Sequence, residues 1–134
     1  MKTLDFKNDQ GFTLVEIIAV LVILGILAAV AIPKYISVLD ETNSRAARAA
    51  IAEIKGRLST AQAKYMFRHD GLAPTSPTLY NYAIDSNQYG GNLANLGEDF
   101  SASVTPGTPI AIVVNAVKGQ NVNVTGNFAA AGDP

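Results

Sequence analysis

From Phe12 to Ile32 the chain reads FTLVEIIAVLVILGILAAVAI, an apolar run interrupted by one charged residue, Glu16. Roughly 21 residues of helix at about 1.5 Å each reach about 31 Å, the thickness of the hydrocarbon layer of a bilayer. A secretory signal has a shorter apolar core, about 7–15 residues, and a small-x-small cleavage site before a polar mature start, and no such site precedes a polar start here. The segment is therefore expected to stay in the mature protein and to span a membrane. The alternative is a helix buried on every side in a soluble core, and a chain of 134 residues supplies too little protein to surround it. Lys2, Lys7 and Lys34 lie on both sides of the span, so a rule that counts basic residues leaves its orientation open.

Glu16 is the residue out of place. An intramembrane carboxylate costs on the order of 2.5–3.5 kcal/mol on insertion scales and marks function by default. Its position near one end of the run also permits snorkelling to the interface, the plainer alternative.

Gly11-Phe12-Thr13-Leu14-Val15-Glu16, followed by apolar sequence through Pro33-Lys34-Tyr35, resembles the N-terminal signature of type IV pilins and their type II secretion relatives, the pseudopilins. The resemblance covers about a quarter of the chain. It implies that residues 1–11 are a leader, that a prepilin peptidase cuts between Gly11 and Phe12, and that the new amine of Phe12 is methylated. It also implies an assembly role for Glu16, pairing with the Phe12 amine of a neighbouring subunit. Such a pair offsets part of the desolvation cost that each charge bears alone. Gly25 and Pro33 are the weak points of the helix, because proline cannot donate to the carbonyl of Ala29 and glycine disfavours helix by about 1 kcal/mol relative to alanine. The resemblance implies partial melting between them in a filament; a simple kink is the alternative.

Beyond the span, Ala47, Ile51, Ile54, Leu58, Ala61 and Tyr65 recur at steps of four and three, the stripe of an amphipathic helix. One helix is predicted from about Phe12 to about Arg68, stopped by Gly71 and Pro74. Residues 12–33 form its membrane and assembly half, and residues 34–134 the head. A loop is expected over about 71–98. After it DFSASV, PIAIVVNAV and NVNVTG read as three strands over about 99–128, the last two joined by a turn at Lys118-Gly119-Gln120. Ile110, Ile112 and Val114 share one strand face, and the tail AAAGDP is expected to fray. The fold class is α+β, a long N-terminal helix packed by its second half on a small antiparallel sheet.

Composition narrows the function. The net charge of -1, without a long run of either sign, lacks the footprint of a nucleic-acid-binding protein, and no specific nucleic-acid partner is expected. The absence of cysteine removes disulfides and thiol chemistry. His69-Asp70 falls at a helix end, where histidine serves electrostatics, so neither an enzyme nor a cofactor is expected. Asp85, Asn87, Glu98 and Asp99 carry oxygens that a calcium ion could use, but their spacing fits no loop motif and solvated surface is preferred. Tyr35, Tyr65, Phe67, Tyr80, Tyr82 and Tyr89 are read as packing residues in preference to an electron path.

The resemblance implies a homo-oligomeric helical filament, built by an inner-membrane platform and motor from subunits first held in membrane lipid. The subunit starts in the bacterial inner membrane with its head outside the cytoplasm and ends in an extracellular pilus used in adhesion, twitching motility or DNA uptake. The alternative is a pseudopilin of a type II secretion system. A tethered protein that never polymerises would leave Glu16 and the cut site without purpose.

Overall fold

The computed structural model describes residues 11–134. The element order is α1 (Leu14–Arg68), α2 (Ser76–Ile84), β1 (Phe100–Thr105), β2 (Ile110–Val117) and β3 (Gln120–Phe128), an α+β fold with one long N-terminal helix and a three-stranded antiparallel sheet. The chain divides into two compact units, one ending at Val38 and the other running from Leu39 to Pro134.

In the N-terminal unit α1 runs on without a break through both Gly25 and Pro33. All of its side chains are exposed.

In the second unit α1 becomes amphipathic. Ala47, Ala50, Ile51, Ile54, Leu58 and Ala61 are buried, which is the expected stripe with Ala50 added, and Tyr65 is partly buried. They pack with Leu79, Tyr82 and Ala83 of α2, with Leu93, and with Ile110, Ile112, Val114 and Val117 of β2. β2 is the central strand, and the sheet order is β1-β2-β3. Gly126 of β3 lets the helix approach closely, since a Cβ there would stand 2.5 Å from Cγ2 of Ile51. At its far end α1 is closed by Asp70, whose φ of 51° is left-handed, while the Gly71 amide donates to the Met66 carbonyl at 2.8 Å. The stop falls where Gly71 predicted it, with Asp70 also taking the left-handed conformation.

Three features depart from the sequence reading. The expected loop from about 71 to 98 contains α2, which starts after Thr75 with a proline in its first turn and buries Ser76, Leu79, Tyr82 and Ala83. The β2–β3 turn has two loop residues, Lys118 and Gly119, both with positive φ, because Gln120 already pairs with Val117. The tail does not fray. Asp133 accepts hydrogen bonds from the amide and hydroxyl of Ser76, the Gly132 amide donates to the Pro74 carbonyl at 3.0 Å, and Ala130 is buried.

Strand register also shifts. The β1–β2 pairing slips between Ser101 and Ala102, skipping Asn115, so the buried series Ile110, Ile112, Val114 continues at Val117 instead of Ala116. A bulge of this kind resets which face the side chains take.

Candidate functional site

Gly11, Phe12 and Thr13 precede α1 in non-helical conformation and are exposed. Helix begins at Leu14 because Thr13 caps it: the Thr13 hydroxyl accepts from the Glu16 amide at 3.2 Å, and the Thr13 carbonyl accepts from the Glu16 and Ile17 amides. This is one half of a capping box, the Thr-x-x-Glu pattern that the sequence carries at positions 13–16. Thr13 was missed by the sequence reading, and that pattern is the signal that identifies it. Glu16 is the only acidic residue in the first turn, where the unsatisfied amides of the helix favour negative charge.

The structure thus places Gly11, Phe12 and Glu16 within one helix entry. Gly11 is exposed with nothing within 4 Å of a Cβ built on it, and Phe12 is 79% exposed. The leader apart from Gly11 lies outside the described residues. Gly25 and Pro33 sit far along the same helix, away from this entry.

Between Leu14 and Leu39 the large apolar side chains of α1 are all at least 42% exposed. A water-soluble monomer rarely shows a contiguous apolar surface above a few hundred Å². Such a surface needs lipid or protein over it, and α1 is long and apolar enough to cross a membrane. The model of the prokaryotic N-terminal methylation motif matches residues 6–32.

The N-terminal segment carries this methylation motif, and the chain is similar over part of its length to type IV pilins and to a type II secretion core protein.

Among its relatives, the type IV narrow pilus major component of Thermus thermophilus is 39% identical over 57 residues, 41% of this chain and 49% of that protein. A fimbrial protein of Pseudomonas aeruginosa is 32% identical over 78 residues, 58% of this chain and 49% of its own length. The type II secretion system core protein G of Pseudomonas aeruginosa is 42% identical over 67 residues, 50% of this chain and 43% of its own length. The chain spans about half the length, or less, of these curated relatives. No solved structure matches it.

Of the other residues weighed for chemistry, His69, Tyr65, Tyr82 and Asp85 make local structural contacts, whereas Tyr35 and Phe67, expected to pack, are 67% and 90% exposed. His69 stacks on Tyr65 with ring centroids 4.1 Å apart, and Tyr65 meets Tyr82 edge-on at 5.3 Å. The Asp85 carboxylate accepts from the Asn87 amide at 2.8 Å and so shapes the turn after α2. Among the described residues no group of three or more His, Asp or Glu side chains is placed to share a metal ion.

Two further sets of residues escaped the sequence reading. Arg57, Lys64 and Arg68 tie α1 to the segment after α2: Arg57 donates to the Asn95 carbonyl, Lys64 to the Gln88 carbonyl and Arg68 to the Gln88 side chain, at 2.8–2.9 Å. Their spacing of seven and four along a helix puts all three on one face, which is the signal that reveals them. The other set surrounds Asp133. The Ser76 hydroxyl and amide, with a smaller contribution from the Ala130 amide, hold its carboxyl below the ordinary value of 3.8 against an opposing effect of desolvation.

Proposed function

We propose that this chain is a structural subunit of a type IV pilus and not an enzyme. Prepilin peptidase cuts between Gly11 and Phe12, Phe12 is N-methylated, and the subunit waits in the inner membrane with its head outside the cytoplasm. An inner-membrane platform and motor then draw it into a homo-oligomeric extracellular filament, with roles in adhesion, twitching motility or DNA uptake. The observation that carries this reading is a wholly unburied apolar half-helix whose one carboxylate, Glu16, stands four residues after Phe12. Lipid covers that surface before assembly and neighbouring subunits cover it afterwards. In the second environment the Phe12 amine of one subunit neutralises Glu16 of the next, which sets the register. The exposed, non-helical Gly11-Phe12-Thr13 segment supports cleavage, since exposed irregular backbone is where proteases act. Gly25 and Pro33 are the proposed points of local melting in the filament.

Mass spectrometry of sheared filaments tests the processing: the mature chain should begin with methylated Phe12. A different N-terminus, or Phe12 unmethylated throughout, would refute it.

The identity to a secretion core protein favours a second reading, a pseudopilin of a type II secretion system. Deletion of the gene separates the two. Loss of surface pili with intact protein secretion supports the pilus, and loss of secretion supports the pseudopilus.

A further inference from the structure

The second unit carries an apolar groove of about 390 Å³ lined by Ala46, Ala49, Ala50, Leu96 and Phe100, with Glu53 and Arg57 at its polar edge. The alanines form a low floor on α1, and Leu96 and Phe100 rise beside it. The same unit displays Phe67 on α1, 90% exposed, the most exposed of its large apolar side chains. A phenyl ring held in water loses the burial of about 150–250 Å² that aromatic side chains ordinarily gain. Groove and ring lie 17 residues apart on α1 measured from Ala50, so a single molecule cannot bring one to the other along a continuous helix.

Their flanks carry opposite charge. Lys64 and Arg68 bracket Phe67; both donate to neutral oxygens of Gln88, Lys64 also lies 5.6 Å from the centroid of the Tyr89 ring, and neither is in an ion pair among the described residues. Glu98 and Asp99 precede Phe100 at the groove and are exposed; the ion pairs among the described residues are Arg45–Glu41 and Arg57–Glu53, and include neither. A basic knob, and a socket whose wall residue Phe100 directly follows two exposed carboxylates in sequence, are complementary between copies. A contact of that heterologous kind propagates instead of closing into a dimer.

We infer that the groove is the socket for Phe67 of a second copy of this chain, with Lys64 and Arg68 of that copy facing Glu98 and Asp99. The inference rests on the filament reading and assigns to it a head-to-head contact separate from the Phe12–Glu16 pair.

The absence of cysteine makes cross-linking clean. Ala49 at the groove and Ala63, one turn before Phe67, are both exposed, so the full-length double variant Ala49→Cys, Ala63→Cys is treated as filaments with a short bis-maleimide. The expected result is a ladder of covalent oligomers joined through peptides containing positions 49 and 63, whereas either single variant stops at dimers. Intact filaments that give no ladder, or in which position 49 joins another segment or another protein, overturn the inference. Phe67→Ser provides a second arm that leaves both cysteine sites out: filament yield should fall roughly tenfold, as for a central aromatic anchor, while the melting temperature of the membrane-bound subunit stays unchanged. Unchanged yield overturns the inference even if the double variant fails to assemble. If the unaltered chain forms no filaments, the filament reading itself fails, a result distinct from the loss of this one contact.

Discussion

The two halves of α1 share a backbone and an apolar character but have opposite surroundings. From Leu14 to Leu39 the large apolar side chains are at least 42% exposed, whereas Ile51, Ile54 and Leu58 are no more than 6% exposed. The difference lies in the pattern. The first half is apolar on every side, so it suits a surrounding solvent of lipid or other helices. The second half is apolar along one stripe and charged elsewhere, as in Arg45, Glu53 and Arg57, so it has a single face to bury and a head that buries it. A helix can therefore be continuous in its hydrogen bonds and divided in the energetics that keep it in place.

The largest expected effect breaks the first half's role without touching the second. Glu16→Ala should leave membrane insertion intact, or improve it by removing a charge that costs on the order of 2.5–3.5 kcal/mol, while the yield of sheared filaments collapses relative to membrane-bound subunit. Glu16→Gln should assemble poorly too, since it keeps the shape but not the charge. Normal filaments from Glu16→Ala would return this residue to a snorkelling or capping role.

Leu58→Ala should do the reverse. It empties a site with no solvent exposure and should destabilise the head by about 2–5 kcal/mol, seen in denaturant unfolding. Leu24→Ala, on the open half of the helix, should leave that unfolding curve unchanged. Equal effects from the two would abolish the distinction between the halves.

A smaller change is expected at Asp133. Its carboxyl lies below the ordinary value in the folded head, so the stabilisation is fully present above the unfolded value of 3.8 and is lost as pH falls through the lowered folded value. Asp133→Asn should lower the melting temperature at neutral pH and flatten its decline in acid. The smallest effect belongs to Tyr82→Phe. The Tyr82 hydroxyl is buried without a hydrogen-bond partner among the described residues, so removing it should leave the melting temperature unchanged or raise it slightly. A clear fall would mean that the hydroxyl has a partner in the assembled protein.

Periodicity in the sequence was enough to find the stripe from Ala47 to Tyr65 and the three strands, because each depends on the spacing of residues close in the chain. The helix α2 was legible in principle: Thr75-Ser76-Pro77 is a helix start, and Leu79, Tyr82 and Ala83 follow at helical spacing. The density of proline, asparagine and glycine around it made the whole stretch read as loop. Thr13 was likewise present in a local pattern.

Other features had no local signal. Asp133 reaches Ser76 across 57 positions in sequence, and a terminal Gly-Asp-Pro looks frayed until the start of α2 is seen beside it. A Cβ at Gly132 would stand 2.6 Å from the Ala73 carbonyl oxygen, a constraint that exists only once the tail has docked. The bulge at Asn115 moved burial from Ala116 to Val117, which strict alternation cannot anticipate because the slip belongs to the pairing of two strands. For α1 and the three strands, sequence by itself determined the element and which of its faces is apolar, since those follow from periods of 3.6 and 2 within one segment. Tertiary structure alone decided the docked tail, the register slip and the groove beside Leu96 and Phe100, since each depends on distances between segments that the chain order does not contain.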